Sequence, residues 1–394
     1  MKNLAEVLPR TAEIIVGSTP EGNGGQLYVS RWGQPIVDYA WGKSSTGKDM
    51  TPDMLVPWAS AVKPTTCVTA MQLWEKGAIE LDDPVVKFIP EFAAGDKEKV
   101  TIRHLLTHTA HLGGYPGPFN LGSWDETVGK IIAAPREGYR LAVMRRAAAG
   151  LELPPALPPL GTMAGYNPAG IWILAEIVRR LNGRPFGEIV RRDIFEACGM
   201  NDSWNGVPRE RYRAYVDRFA STGLMARPPS PSTGSEEAAA KSQPAGGGIG
   251  PSRDLGRFYE MMLGRGEIDG KRVLLPQTVE AMTARQTTEV ARWGLGFSLN
   301  FPLWGQAAKL VAERGDQIAL DSAASEVRGL QAFADQVRYG THASPRAFGH
   351  AGASGMLAFA DPEYGLVISL IASGFGSKIA TALYEDLGLA LGSE

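Results

Sequence analysis

The chain has 394 residues, 44% of them hydrophobic and 21% charged, with a formal net charge of −2. That length allows a large core and two subdomains, and the balanced charge points away from nucleic acid or an anionic membrane as partner. No apolar run reaches the roughly 20 residues a membrane-spanning helix requires. Residues 1–9 lack the apolar stretch of a signal peptide, being interrupted by Glu6 and Pro9. Cys67 and Cys198 both fall in helix-like apolar segments. Buried thiols in a reducing cytoplasm are the expectation, although counting alone leaves one disulfide open.

In chain order, residues 26–42 read as a hairpin: two aromatic and β-branched runs flank a turn at 31–34. Residues 64–76 carry apolar side chains at helical spacing and end at Gly77. Further helices are expected over 101–109, 171–181 (closed by Asn182 and Gly183), 185–197 (closed by Cys198 and Gly199) and 252–263, the last with Ser252 as N-cap. Residues 153–160 are proline-rich and read as extended; 227–248 read as a long loop. Strands are expected at 294–301, 356–360 and 366–372, the last two joined by a turn at 361–365. An amphipathic helix over 377–391 closes the chain, and the alanine-rich insertion 303–345 has no assigned place. Strands at both ends with helices between predict an α+β fold, an antiparallel sheet built from both termini with an inserted helical domain. The expected division is a discontinuous sheet domain of 1–62 and 246–394, a mainly helical domain of 63–245, and a catalytic cleft between them.

The residues most suggestive of chemistry are Ser60 and Lys63, which open the helix predicted after Trp58. Residues three apart share a helical face. A lysine whose pKa is lowered by burial can take the proton of a serine hydroxyl, which is otherwise a poor nucleophile. A helix N-terminus at Ser60 would favour developing negative charge. The tetrapeptide is short, however, and Ser45 with Lys48 also fits it, in a solvated turn; Ser60 alone could equally be a cap. A second proton carrier is available in Tyr166, just before a helix, and a glycine-rich strand edge in His350-Ala351-Gly352-Ala353. His104, His108 and His111 fall at i, i+4 and i+7, a helical face that could bind zinc, but no nearby acidic or cysteine ligand completes such a site, and a structural role, with histidine nitrogens bonding loop carbonyls, is the favoured reading. There is no G-x-S-x-G elbow, residues 246–250 read as a turn rather than a phosphate loop, and Asp82-Asp83-Pro84 reads as a turn pair. Trp58, Tyr115, Phe119 and Trp293 are candidates for an apolar acyl pocket or simply for core.

Taken in order, Ser60-Ala-Val-Lys63-Pro, Glu80-Leu-Asp-Asp-Pro-Val, Thr101-Ile-Arg-His-Leu-Leu-Thr-His-Thr, Tyr166-Asn-Pro, Gly246-Gly-Gly-Ile with Asp254-Leu, and His350-Ala-Gly resemble the serine β-lactamase-like superfamily. Its members include class C β-lactamases, family VIII esterases, D-aminopeptidases and related acyltransferases. The resemblance implies Ser60 as acylated nucleophile and Lys63 with Tyr166 as the proton-handling pair. It implies that His350 and Gly352 line the strand beside the cleft, and that the N–H groups of Ser60 and Ala353 form the oxyanion hole. It further implies a hydrolase of small-molecule esters or amides that requires no metal or other cofactor. The alternative is a biosynthetic enzyme passing the acyl group to an amine or alcohol; a β-lactamase or a silent binding protein is less favoured. Three departures stand out: Pro168 where Tyr-x-Asn is common, His350 where β-lactamases carry lysine, and His111 where glycine is common. Oligomeric state is left open.

Overall fold

The computed structural model describes residues 4–19, 23–117, 121–136, 159–162, 164–220, 236–287, 293–300, 339–372 and 374–390. Most of the proline-rich stretch 153–160 and of the insertion 303–345 lies outside them. Two N-terminal helices, α1 (Leu4–Val7) and α2 (Pro9–Ser18), precede a hairpin of β1 (Gly25–Arg31) and β2 (Gln34–Trp41). The hairpin turn is made by Trp32 and Gly33, both at positive φ, which matches the right-handed twist of the strands they join. Then come β3 (Val56–Ala59), α3 (Lys63–Glu75), α4 (Ile102–Leu106), α5 (Trp124–Ala133) and α6 (Pro168–Asn182). After β4 (Trp204–Asn205) and β5 (Gly248–Gly250) lies α7 (Ser252–Leu263). A small hairpin, β6 (Glu267–Ile268) with β7 (Lys271–Arg272), follows. The chain closes with β8 (Ser298–Leu299), β9 (Phe348–Ala351), β10 (Met356–Asp361), β11 (Leu366–Ile371) and α8 (Gly376–Asp386).

The main sheet has the order β2-β1-β11-β10-β9-β8. Its neighbours are antiparallel, and Gln26 faces Ile371 where the two chain ends meet. The predicted α+β architecture is therefore present. Alternation along the strands sorts the two faces. Leu357, Phe359, Leu366, Ile368 and Leu370 pack with Leu8, Ile15, Ile379 and Leu383 of the terminal helices. Met356, Ala358, Ala360, Val367 and Ile371 pack with Leu255, Phe258 and Tyr259 of α7. This second cluster is continuous with the apolar side chains of α3 and α6, so sheet and helices share one core. No helix among the described residues is long and apolar enough to cross a membrane.

Several expectations need correction. The helix predicted over 101–109 stops at Leu106, because His108 adopts a left-handed φ of 56°. Of the strand predicted over 294–301, the described residues 294–300 contribute only the two-residue strand β8. Within 227–248, Glu236–Ala240 is helical, and residues 248–250 form strand rather than turn. Ser252 is not the cap of α7: Pro251 holds that position, and the Ser252 N–H donates to Gln26 Oε1 at 2.9 Å. Helices α1 and α2 escaped detection although Leu4, Leu8 and Ile15 already mark one buried face. Cys67 and Cys198 are both free and buried.

Asp254, in the first turn of α7, is buried and accepts from Ser203 Oγ at 2.8 Å and from the Asp202 N–H at 3.2 Å. Burial outweighs these bonds and lifts its pKa from 3.8 to about 6. The folded state then binds more protons than the unfolded one between these values. Stability attributable to this group is therefore greatest at low pH and is lost as pH rises from about 4 to 6, by roughly 3 kcal/mol. Urea unfolding of the wild type and of Asp254→Asn across that window should show the extra downward slope in the wild type alone; parallel curves would contradict it.

Candidate active site

Strand β3 delivers the chain to Ser60 through an unusual residue. Ala59 has φ 47° and ψ −131°, a conformation that costs a residue with a Cβ on the order of 1–3 kcal/mol. The kink ends the strand. Ser60 then begins not an α-helix, as the sequence suggests, but a 3₁₀ turn, Ser60–Val62, with α3 starting at Lys63. The difference has a geometric effect: at three residues per turn, positions i and i+3 eclipse one another. Lys63 Nζ comes to 2.7 Å from Ser60 Oγ.

Lys63 is 1% exposed, and Nζ also donates to the Ala245 carbonyl at 2.6 Å. Thr66 Oγ1 donates to the adjacent Pro244 carbonyl at 2.7 Å, so α3 grips this segment twice. The segment leads into β5, which pairs with β3. Its glycines permit the approach: a Cβ on Gly248 would sit 2.6 Å from the Val62 side chain. On the other side, a Cβ on Gly352 would meet the Trp58 carbonyl oxygen at 2.1 Å. The end of β9 thus lies against the nucleophile's strand, and Ala353, beyond it, is exposed.

Aromatic rings close over the lysine. Nζ lies 5.1 Å from the centre of the Tyr166 ring. Trp293 stacks on Tyr166 at 5.8 Å, and His108 and His350 lie 4.9 and 5.9 Å from the same ring. His350 is 3% exposed, with Nδ1 2.6 Å from the Ala351 carbonyl. Tyr115 is close enough for Tyr166 to help burial push its phenol up to about 12. Ser60, Lys63, Tyr166, His350 and Gly352 are therefore brought together around one point. Trp58 is not: it is fully buried, donates to the Gly250 carbonyl and meets Phe195 edge-on, so it is core. Phe119 lies outside the described residues.

The three histidines expected on one helical face are spread over a turn instead. His104 completes the capping box of α4 with Thr101, and His108 and His111 both have positive φ. Among the described residues no group of three His, Cys, Asp or Glu side chains is placed to hold a metal. The left-handed φ of 52° at His111 explains why glycine suits that position. Asn167 caps α6 through the Ala169 N–H and donates to the Leu112 carbonyl, while Pro168 starts the helix. Neither therefore offers the site a free side-chain amide.

The sequence favours a structural role for His108 over a metal site, and the fold makes that role a specific one: the residue brackets the tyrosine. Its carbonyl accepts from the Gly165 N–H at 2.8 Å, and Nδ1 accepts from the Asn167 N–H at 3.4 Å. Burial, aided by the Lys63 charge, lowers its pKa to about 3, so the ring is neutral with Nδ1 available. Asparagine tolerates left-handed φ and presents an acceptor at a similar place. His108→Asn should keep ester hydrolysis within about tenfold of wild type. His108→Leu, strained and without an acceptor, should lose about 100-fold and melt several degrees lower. Equal rates in the two variants would remove the bracketing role.

The Beta-lactamase family model matches residues 17–391 of the chain. Penicillin-binding protein 4 of Amycolatopsis lactamdurans is 28% identical over 267 residues, 64% of this chain and 65% of its own length. The esterase/beta-lactamase LipL of Mycobacterium tuberculosis (strain ATCC 25618 / H37Rv) is 24% identical over 382 residues, 88% of this chain and 76% of its own. Among solved structures, EstCE1, a hydrolase with promiscuous acyltransferase activity, superposes with a TM-score of 0.68 at 18% identity, covering 98% of both chains. With the family model spanning nearly the whole chain, this protein belongs to the beta-lactamase family.

Proposed function

We propose that the protein is a serine acyl-enzyme catalyst that hydrolyses an ester or amide of a small molecule. The observation that carries this reading is the 2.7 Å contact between Ser60 Oγ and a buried Lys63 Nζ. Lys63, in its free-amine form, takes the hydroxyl proton as Oγ attacks the substrate carbonyl. The tetrahedral oxyanion rests on the N–H groups of Ser60 and Ala353. Tyr166, over the lysine, passes the proton to the leaving group, and water then resolves the acyl-Ser60 ester. The cleft lies between the strand side (β3, β5, β9) and the helical side that carries Tyr166 and His108. Likeness to an esterase/beta-lactamase supports the ester reading. His350, in place of a permanent cation, argues against a substrate held by its carboxylate, as in β-lactams. Two buried free thiols are consistent with a cytoplasmic setting. Treatment with a fluorophosphonate followed by peptide mass spectrometry should place one label on Ser60; label elsewhere, or none, overturns the assignment.

A second reading has its own support. The walls formed by Trp293, Tyr166, His108 and His350 are aromatic and pack closely. Such a lining disfavours water and would suit an acyl-enzyme resolved by an amine or alcohol. With an activated ester, that enzyme should show a burst and then a stall relieved by added amine; steady turnover in water alone selects hydrolysis.

A further inference from the structure

A second cavity, of about 610 Å³, lies at the C-terminal end of α6, and none of the residues clustered around Ser60 lines it. Its volume is in the range of small-molecule sites. Three of its walls are aromatic: Trp124 lies 5.0 Å from Trp172 and 5.7 Å from Phe186, centre to centre. The two indoles differ in one respect. Trp124 donates its N–H to Glu176 at 2.7 Å, whereas the N–H of Trp172, 2% exposed, has no acceptor among the described residues. The cations of the wall differ in the same way. Arg179 and Arg180 are held by Glu176, each at 2.7 Å. Arg184 makes no ion pair among the described residues, and Lys241 faces Glu237 only at 3.8 Å.

The cavity therefore combines an apolar aromatic wall with one guanidinium that makes no ion pair among the described residues. We propose that it binds a small aromatic carboxylate, with the ring laid against the packed aromatic wall and the carboxylate taken by Arg184. The site is separate from the catalytic cleft but shares a segment with it. Gln243 lines the cavity, Asn205 holds its backbone N–H at 2.8 Å and its carbonyl at 3.2 Å, and two residues on is the Ala245 carbonyl that holds Lys63.

Titration calorimetry of the full chain with naphthalene-2-carboxylate tests the proposal without reference to Ser60 chemistry. One site with Kd below about 1 mM is expected. Arg184→Gln should weaken it about tenfold, and the neutral analogue naphthalene-2-methanol should bind at least about tenfold more weakly. Ester hydrolysis by Arg184→Gln without ligand should match wild type. Absence of binding up to about 5 mM, an affinity changed less than threefold in Arg184→Gln, or equal affinity for the neutral analogue each overturns the proposal.

Discussion

Ser60→Ala should lower the turnover of an activated ester by about 10⁴-fold or more while leaving the fold intact. The estimate follows from the part a nucleophile plays: with no Oγ there is no acyl-enzyme, and the remaining rate comes from oxyanion donors and substrate positioning alone. Stability should change little. The hydroxyl's only hydrogen bond among the described residues is the one from Lys63, whose Nζ keeps the Ala245 carbonyl. Substrate affinity, read as the inhibition constant of a slow ester analogue, should also be nearly unchanged. Stopped-flow and steady-state assays on the same preparation would decide. A variant retaining more than about 1% of the wild-type rate would remove Ser60 from the mechanism.

Lys63→Met separates a catalytic role from a structural one, because the two predict opposite signs. Methionine matches the length of the lysine stem but carries neither charge nor donor. Loss of the proton acceptor should lower kcat/KM by about 10³-fold. In the fold, by contrast, Nζ has a hydroxyl and a carbonyl for partners and no carboxylate among the described residues, so whenever it carries a proton it has no counterion. Burying a charge without a counterion is costly. Its removal should therefore leave the melting temperature unchanged or raise it, less a contribution for the carbonyl left without its donor. Activity that collapses in a protein at least as stable would identify Lys63 as a group held at a cost in stability for chemistry. A fall of ten degrees or more in melting temperature would instead make it a structural residue.

What the sequence revealed and what it did not divide along physical lines. Strand alternation around Met356–Asp361 and Leu366–Ile371, and the helical period of Pro168–Asn182, are local signals, and the sheet and its helices were readable from them. The Ser60–Lys63 spacing was readable for the same reason. The Ala59 kink was not, since nothing in an alanine codes for a left-handed φ. Nor was the early end of α4, where His108 and His111 turn left-handed in a run that reads as helix. The Ala245 carbonyl is backbone and has no residue-type signature at all. His108 was visible as a histidine, but its hold on the peptides flanking Tyr166 is a tertiary contact across 59 positions of sequence.

The pairing of β1 with β11 also sets an order of events during synthesis. Gln26 waits for Ile371. At about 5–20 residues per second, a ribosome needs roughly 20–70 s to supply the partner. For that interval β1 has β2 on one side and an open edge on the other, the kind of edge that invites pairing with another chain. The nucleophile is completed in the same late step, because Gly352 must close against Trp58 before Ser60 is flanked on both sides. A nascent chain halted before residue 366 would already carry Ser60, Lys63 and Tyr166 and should not react with a fluorophosphonate. The site should thus stay silent until the sheet closes, and reactivity of arrested chains of increasing length would date that moment.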